Sequence, residues 1–190
     1  MTPTGVPHGE LLVETTGQPP EGFSAGRQLV PSCRLLLQPS TGQPALSLLL
    51  ANWPESTTIK QVPYGSYSPN VTLNNHLLRY RPEENPLDLV KVGVEPARIA
   101  IDVSDMSALQ VEVSDAQAIY QGTVLFTISS AGSSNAVFLS FEAPPYGVLG
   151  ISPGDYELRF KRPFTTPDDH PVLVRIVGRE TARLSVAIPH

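Results

Sequence analysis

A stretch written twice sets the terms for any fold this chain adopts. Residues 82–103 read PEENPLDLVKVGVEPARIAIDV and residues 167–188 read PDDHPVLVRIVGRETARLSVAI, at an offset of 85 with no gap. Of the 22 pairs, seven are identical, among them Pro82/Pro167, Val92/Val177, Gly93/Gly178 and Arg98/Arg183, and seven more keep their character. Internal similarity of this kind implies a supersecondary unit used more than once. Extending the match outward pairs Gly65-Ser66-Tyr67 with Gly154-Asp155-Tyr156, and Leu11-Leu12-Val13 with Leu109-Gln110-Val111. The expected organisation is a flexible N-terminus over 1–9, a first repeat over 10–104 and a second over 105–190. The short stretch Ser104-Asp105-Met106-Ser107 joins the repeats. Each unit is large enough to bury a core, though marginally, at roughly 80–95 residues.

The local patterns are those of strands. Glu10–Thr15, Leu29–Gln38, Ala45–Ala51, Thr123–Ser129 and Ala136–Phe141 read as strands, separated by turn-forming stretches such as 39–44 and 130–134. Val124, Phe126 and Ile128 alternate with smaller or more polar residues, the period of a half-buried strand. Gly17–Gly26 holds three glycines and two prolines and reads as a long loop. The repeated stretch reads as a closing hairpin, with arms Leu87–Val94 and Arg98–Val103 in the first unit and a bulge near Gly93 and Gly178. No window carries a helical period, and 20 prolines spread along the chain oppose long helices. The fold class expected is all-β: two tandem duplicated seven-stranded antiparallel β-sandwich domains.

The turn Pro153-Gly154-Asp155-Tyr156, leading into Glu157-Leu158-Arg159-Phe160 and then a closing hairpin, resembles the prealbumin-like β-sandwiches. These include carboxypeptidase regulatory-like domains and the repeated modules of bacterial surface proteins. The first unit departs from the motif, with Tyr64 where the second has Pro153. The resemblance implies a non-enzymatic spacer, stalk or binding module. Some surface-protein relatives carry a Lys–Asn cross-link, but neither opening strand here has a lysine, so no isopeptide bond is expected.

Candidate binding residues cluster in two places. The loops before the closing hairpins each set two adjacent carboxylates between prolines: Arg79, Arg81, Glu83 and Glu84 in the first unit, Asp168, Asp169 and His170 in the second. Rigid charged loops suit recognition, but two neighbouring acids fall short of the six or more oxygens calcium takes, so no metal is expected. Trp53 and Tyr64 lie where the first unit is longer and read as an exposed aromatic patch for a sugar. Tyr67 and Tyr156 are placed alike in both units and read as core or turn-locking residues. No nucleophile elbow, phosphate loop or paired acid–base set is present, so no catalytic residue and no cofactor is expected.

Charge and composition narrow the function further. A net charge of −5 argues against nucleic acid, which selects a basic face. The most apolar run, LSLLLANW, is too short for membrane insertion. MTPTGVPHGE has no basic, apolar leader character, so a cytoplasmic or non-classically exported protein is expected. Cys33 is the one cysteine and rules out an internal disulfide framework. Charged residues make up 16%, below the roughly 25% of an average domain, which suits a protein with much of its surface in contact with a partner. The expected function is a structural or assembly protein that docks a protein partner or copies of itself. The alternative is a carbohydrate- or peptide-binding module.

Overall fold

The computed structural model describes residues 5–28, 33–50, 53, 55–73, 76–78, 80–81, 89–116, 118–167 and 170–189. Every regular element among them is a strand, and the chain is all-β with several sheets. It divides into two compact units.

Unit 1 comprises Met1–Thr16, Cys33–Leu73 and Leu77–Asp102. Its strands are β1 (His8–Thr16), β2 (Cys33–Pro39), β3 (Leu46–Leu50), β4 (Thr57–Pro63), β5 (Gly65–Leu73), β6 (His76–Leu78), β7 (Tyr80–Arg81), β8 (Val90–Val92) and β9 (Ala97–Asp102). One sheet runs β4-β1-β9-β7 and the other β3-β2-β5-β6, with β8 also paired to β5. Both sheets bury alternate side chains: Leu11, Val13, Ile99 and Ile101 from one, Leu35, Leu37, Tyr67 and Val71 from the other.

Unit 2 comprises Gly17–Ser32, Asn74–His76 and Val103–His190. It contains β10 (Ala108–Asp115), β11 (Ala118–Ile119), β12 (Val124–Ser130), β13 (Ala136–Phe141), β14 (Tyr146–Leu149), β15 (Gly154–Arg162), β16 (Val172–Ile176) and β17 (Thr181–Ala187). One sheet is β11-β10-β14 with β17 also on β10; the other is β13-β12-β15-β16. Their shared core is aromatic at its centre. Phe126 packs on Phe160 with centroids 5.4 Å apart and on Phe141 at 6.1 Å, and Tyr146 meets Phe141 edge-on at 6.2 Å. Leu109, Val111, Val113 and Val148 close it from the opposite sheet.

The two units share a wiring plan. β1 pairs with β4 and β9 as β10 pairs with β14 and β17. β2 pairs with β3 and β5, and β5 with β8, as β12 pairs with β13 and β15, and β15 with β16. The register repeats too: Leu11 faces Ala97 and Leu109 faces Ala182, the residues that the sequence match equates.

Three expectations are corrected. The sheets are not wholly antiparallel, because β1 and β9 run parallel, as do β10 and β17. A parallel partner needs a long crossover; here the rest of the unit supplies it, and no local turn signal announces such a pair. The repeated stretch is not a hairpin: β8 joins β5 while β9 joins β1, and β16 joins β15 while β17 joins β10. Its two arms lie in different sheets, so the turn between them is a corner. The bulges lie elsewhere as well. One is opposite Gly9–Leu11, where Gln61 takes a φ of 61°, and one is in β15 opposite Leu125–Phe126. Gly93 and Gly178 fall beyond the strands, in the corners.

β4 and β14 have no counterpart among the strands read from sequence. Pairing with β4 makes β1 begin at His8, inside the expected flexible N-terminus, and Tyr64 donates its N–H to the Pro7 carbonyl at 2.9 Å. Ser104–Ser107 is held within unit 2. The Gly150 N–H donates to the Ser107 carbonyl at 3.0 Å, and Arg179 pairs with Asp105 at 2.8 Å.

Gly17–Gly26, expected as a loop of the first repeat, belongs by its contacts to unit 2. Ser24 donates its N–H to Oε1 of Gln110 at 3.0 Å, on the face of β10 turned away from the core. Gln28 forms a β-bridge with Phe141, and Glu142 donates its N–H to the Arg27 carbonyl at 3.2 Å. Two glycines make the close approach possible. A Cβ at Gly26 would collide with the Pro145 carbonyl, and one at Gly147 with the Ser24 carbonyl.

Candidate interaction surfaces

The β13-β12-β15-β16 sheet ends in two edges, and they differ. β16 hydrogen-bonds to β15 along one side, with Glu157 opposite Leu173 and Tyr156 opposite Val174. Among the described residues no strand pairs with its other side. Alternation on β16 sends Ile176 into the core and Leu173 and Arg175 outward. Leu173 is 69% exposed, and Val177, just past the strand, is 48% exposed. Arg175 and Asp155, 3.8 Å apart, are both well exposed, so that pair adds little. Natural edges are blunted by charged side chains, proline or a bulge; β16 reads VLVRI, with no proline and a single charge, Arg175. β13, AVFLSF, also exposes an aromatic ring at Phe138, but its Phe141 end is already engaged by Gln28. In unit 1 the edge strand β3 exposes Leu49 in the same way.

Of the residues expected to bind, Trp53, Tyr64, Arg81 and His170 lie among the described residues. Trp53 is half-buried, and its Nε1 is buried without a hydrogen-bond partner. Tyr64 is half-buried beside Gly9. Both members of the aromatic pair expected to face a sugar are thus partly covered. Arg81 lies with Tyr80 in β7, paired to β9 at Ala100, and not in a loop. His170 is exposed, and its N–H donates to the Pro167 carbonyl at 3.1 Å in a turn. Arg79, Glu83, Glu84, Asp168 and Asp169 lie outside the described residues. Among the described residues no group of three or more His, Cys, Asp or Glu is placed to hold a metal.

Tyr67 and Tyr156 do lock the turns before them. Tyr67 donates its hydroxyl proton to the Pro63 carbonyl at 2.7 Å and Tyr156 to the Ser152 carbonyl at 2.8 Å, and both rings are buried. Cys33 is fully enclosed, and burial pushes its thiol up to about 12, which removes it from thiolate chemistry near neutrality. Leu173, Phe138 and Leu49 were not singled out from sequence. Each sits in an alternating strand, but alternation does not tell an edge strand from an interior one.

No family model matches the chain, and no curated protein matches it. Solved structures do. One is GBS52, the minor pilin of the gram-positive pathogen Streptococcus agalactiae, at 13% identity and a TM-score of 0.37, covering 96% of this chain and 97% of that one. A streptococcal ancillary pilin matches at 11% identity and a TM-score of 0.36, over 95% and 68% of the two chains. The C-terminal fragment of the pilus adhesin SpaC from Lactobacillus rhamnosus GG matches at 10% identity and a TM-score of 0.31, over 97% and 100%. The likeness is one of outline. The fold itself stands on the strand registers above.

Proposed function

We propose that this chain is a non-enzymatic structural or assembly protein, built from two tandem β-sandwich modules that dock other protein chains by their sheet edges. The observation that carries the reading is the edge of β16, which no strand among the described residues covers, with Leu173 and Val177 exposed. A strand laid beside β16 would satisfy its unpaired backbone groups and cover both side chains. A second copy of the chain is the first occupant to test, because β13 and β16 are the two ends of one sheet and copies joined edge to edge would continue it. The carbohydrate reading through Trp53 and Tyr64 is not carried forward, because both rings are half-buried.

Light scattering after size exclusion, at two well-separated concentrations, tests this. The reading expects a mass above the 20.5 kDa of one chain that rises with concentration. Leu173→Glu, which sets a charge on the exposed edge, should return the protein to one chain. A monomer at both concentrations that is also unaffected by Leu173→Glu counts against docking between copies. A tagged pull-down from the source cell, wild type against Leu173→Glu, then decides whether the edge serves another protein.

A further inference from the structure

The outward face of β10 and β17 carries a second feature, independent of the sheet edges. Beside the docked Gly17–Gln28 segment lies a cleft of about 530 Å³. Gln110, Glu112, Gln121 and Arg183 line it with hydrogen-bonding groups, and Ile119 and Pro145 with apolar surface. The ladder brings Gln110, Glu112 and Arg183 together. Gln110 stands opposite Arg183 in the parallel register, and Glu112 is two residues along the same strand, hence on the same face. Gln110 is only 8% exposed, and its Oε1 is taken by the Ser24 N–H. The amide is thereby oriented, with both protons of Nε2 left to donate.

The chemistry of the lining selects among ligands. It carries one charge of each sign, so the lining as a whole offers no net attraction to an anion or to a cation. An extended peptide would find no backbone ladder on β10, which is paired by β14 on one side and β17 on the other. The match is a neutral solute whose closely spaced groups both donate and accept. Vicinal sugar hydroxyls have that property, and guanidinium, carboxylate and amide side chains can each bond two of them. Ile119 and Pro145 offer apolar contact to the C–H face of a ring. The volume lies within the roughly 300–1,000 Å³ of small-molecule sites. We propose that this cleft in unit 2 binds a neutral carbohydrate of one or two residues.

The labelled full-length chain is screened on an array of neutral and acidic glycans. The best neutral glycan is then titrated calorimetrically against wild type, Arg183→Ala, Glu112→Gln and Val94→Ser. Arg183 and Glu112 are exposed, so their replacement should leave the melting temperature in place; Gln121→Ala replaces either one that lowers it. A neutral glycan is expected to bind, with affinity reduced roughly tenfold or more by each cleft variant. Val94→Ser, in unit 1, should leave it unchanged. Retention of acidic glycans alone, retention of none, or an affinity indifferent to the cleft variants would overturn the assignment.

Discussion

Val92 and Val177 hold the same place in the sequence repeat and opposite places in the fold. Val92 is 2% exposed and Val177 is 48% exposed. The registers explain it: Gly65 faces Val92, whereas its counterpart Gly154 faces Ile176. The offset between repeats is therefore 84 at this strand (176 − 92) and returns to 85 at Ala97 and Ala182 (182 − 97), so the corner of unit 2 is one residue longer. A slip of one residue turns a strand over, and the gapless identity of the two valines conceals it.

Truncating the two valines should separate them. Val92→Ala removes buried methyl groups and leaves a void, at a cost of about 2 kcal/mol. Val177→Ala should stay within about 0.5 kcal/mol of wild type. Urea denaturation of both variants measures this. Equal losses would mean that the β16 register is wrong.

Tyr67 and Tyr156 give a second matched pair. Each hydroxyl reaches the backbone carbonyl four residues upstream, in turns of different sequence, Pro63-Tyr64 and Ser152-Pro153. Replacement by Phe keeps the ring and deletes that bond, so each variant should lose about 1 kcal/mol. A neutral Tyr156→Phe beside a costly Tyr67→Phe would show that the lock works in one unit only.

These pairs also show what could be read in advance. Tyr67 and Tyr156 were legible because a turn, a buried ring and a strand start are all local. The all-β class was legible from alternation, as at Val124, Phe126 and Ile128, with prolines excluding helices. The parallel pairing of Leu11 with Ala97 was not, because its partners are far apart in sequence and no turn residue encodes it. The placement of Gly26 against Pro145 was hidden for the same reason: glycine marks a loop, and it equally marks a close approach to a distant backbone. Among the candidate site residues, the half-burial of Trp53 was not legible, because residue type does not report exposure. Leu173 and Arg183 were missed because an edge and a cleft are properties of assembled sheets.

The Gly17–Gln28 segment should come away from unit 2 when its close approach is blocked. Gly26→Ala places a Cβ against the Pro145 carbonyl, and backbone on both sides leaves no flexible side chain to yield. Overpacking of this kind costs about 1–3 kcal/mol. Arg27, already exposed and held among the described residues by its surface pair with Glu142 and one backbone bond, then becomes a ready trypsin site. Limited trypsin digestion should cut Gly26→Ala after Arg27 several-fold faster than wild type. Identical digestion would mean that the segment does not depend on this contact.

Alkaline pH should weaken the fold through Cys33. In the unfolded chain this thiol ionises near 9.0, and burial holds it up to about 12 in the folded state. Between those values the unfolded chain has lost a proton that the folded chain keeps. The contribution is thus complete below about pH 9 and declines as pH rises toward 12, by up to about 1.4 kcal/mol per pH unit. Tyr146, pushed up to about 12 by burial and then by the neighbouring Tyr120, adds a loss of the same sign above the ordinary tyrosine value of 10.0. Melting temperatures from pH 7 to 11 should therefore fall more steeply for wild type than for Cys33→Ala, with the curves diverging from about pH 9. At pH 8 the folded protein should resist a thiol reagent that labels the denatured chain at once. Parallel melting curves together with rapid labelling of the folded protein would place Cys33 outside the core.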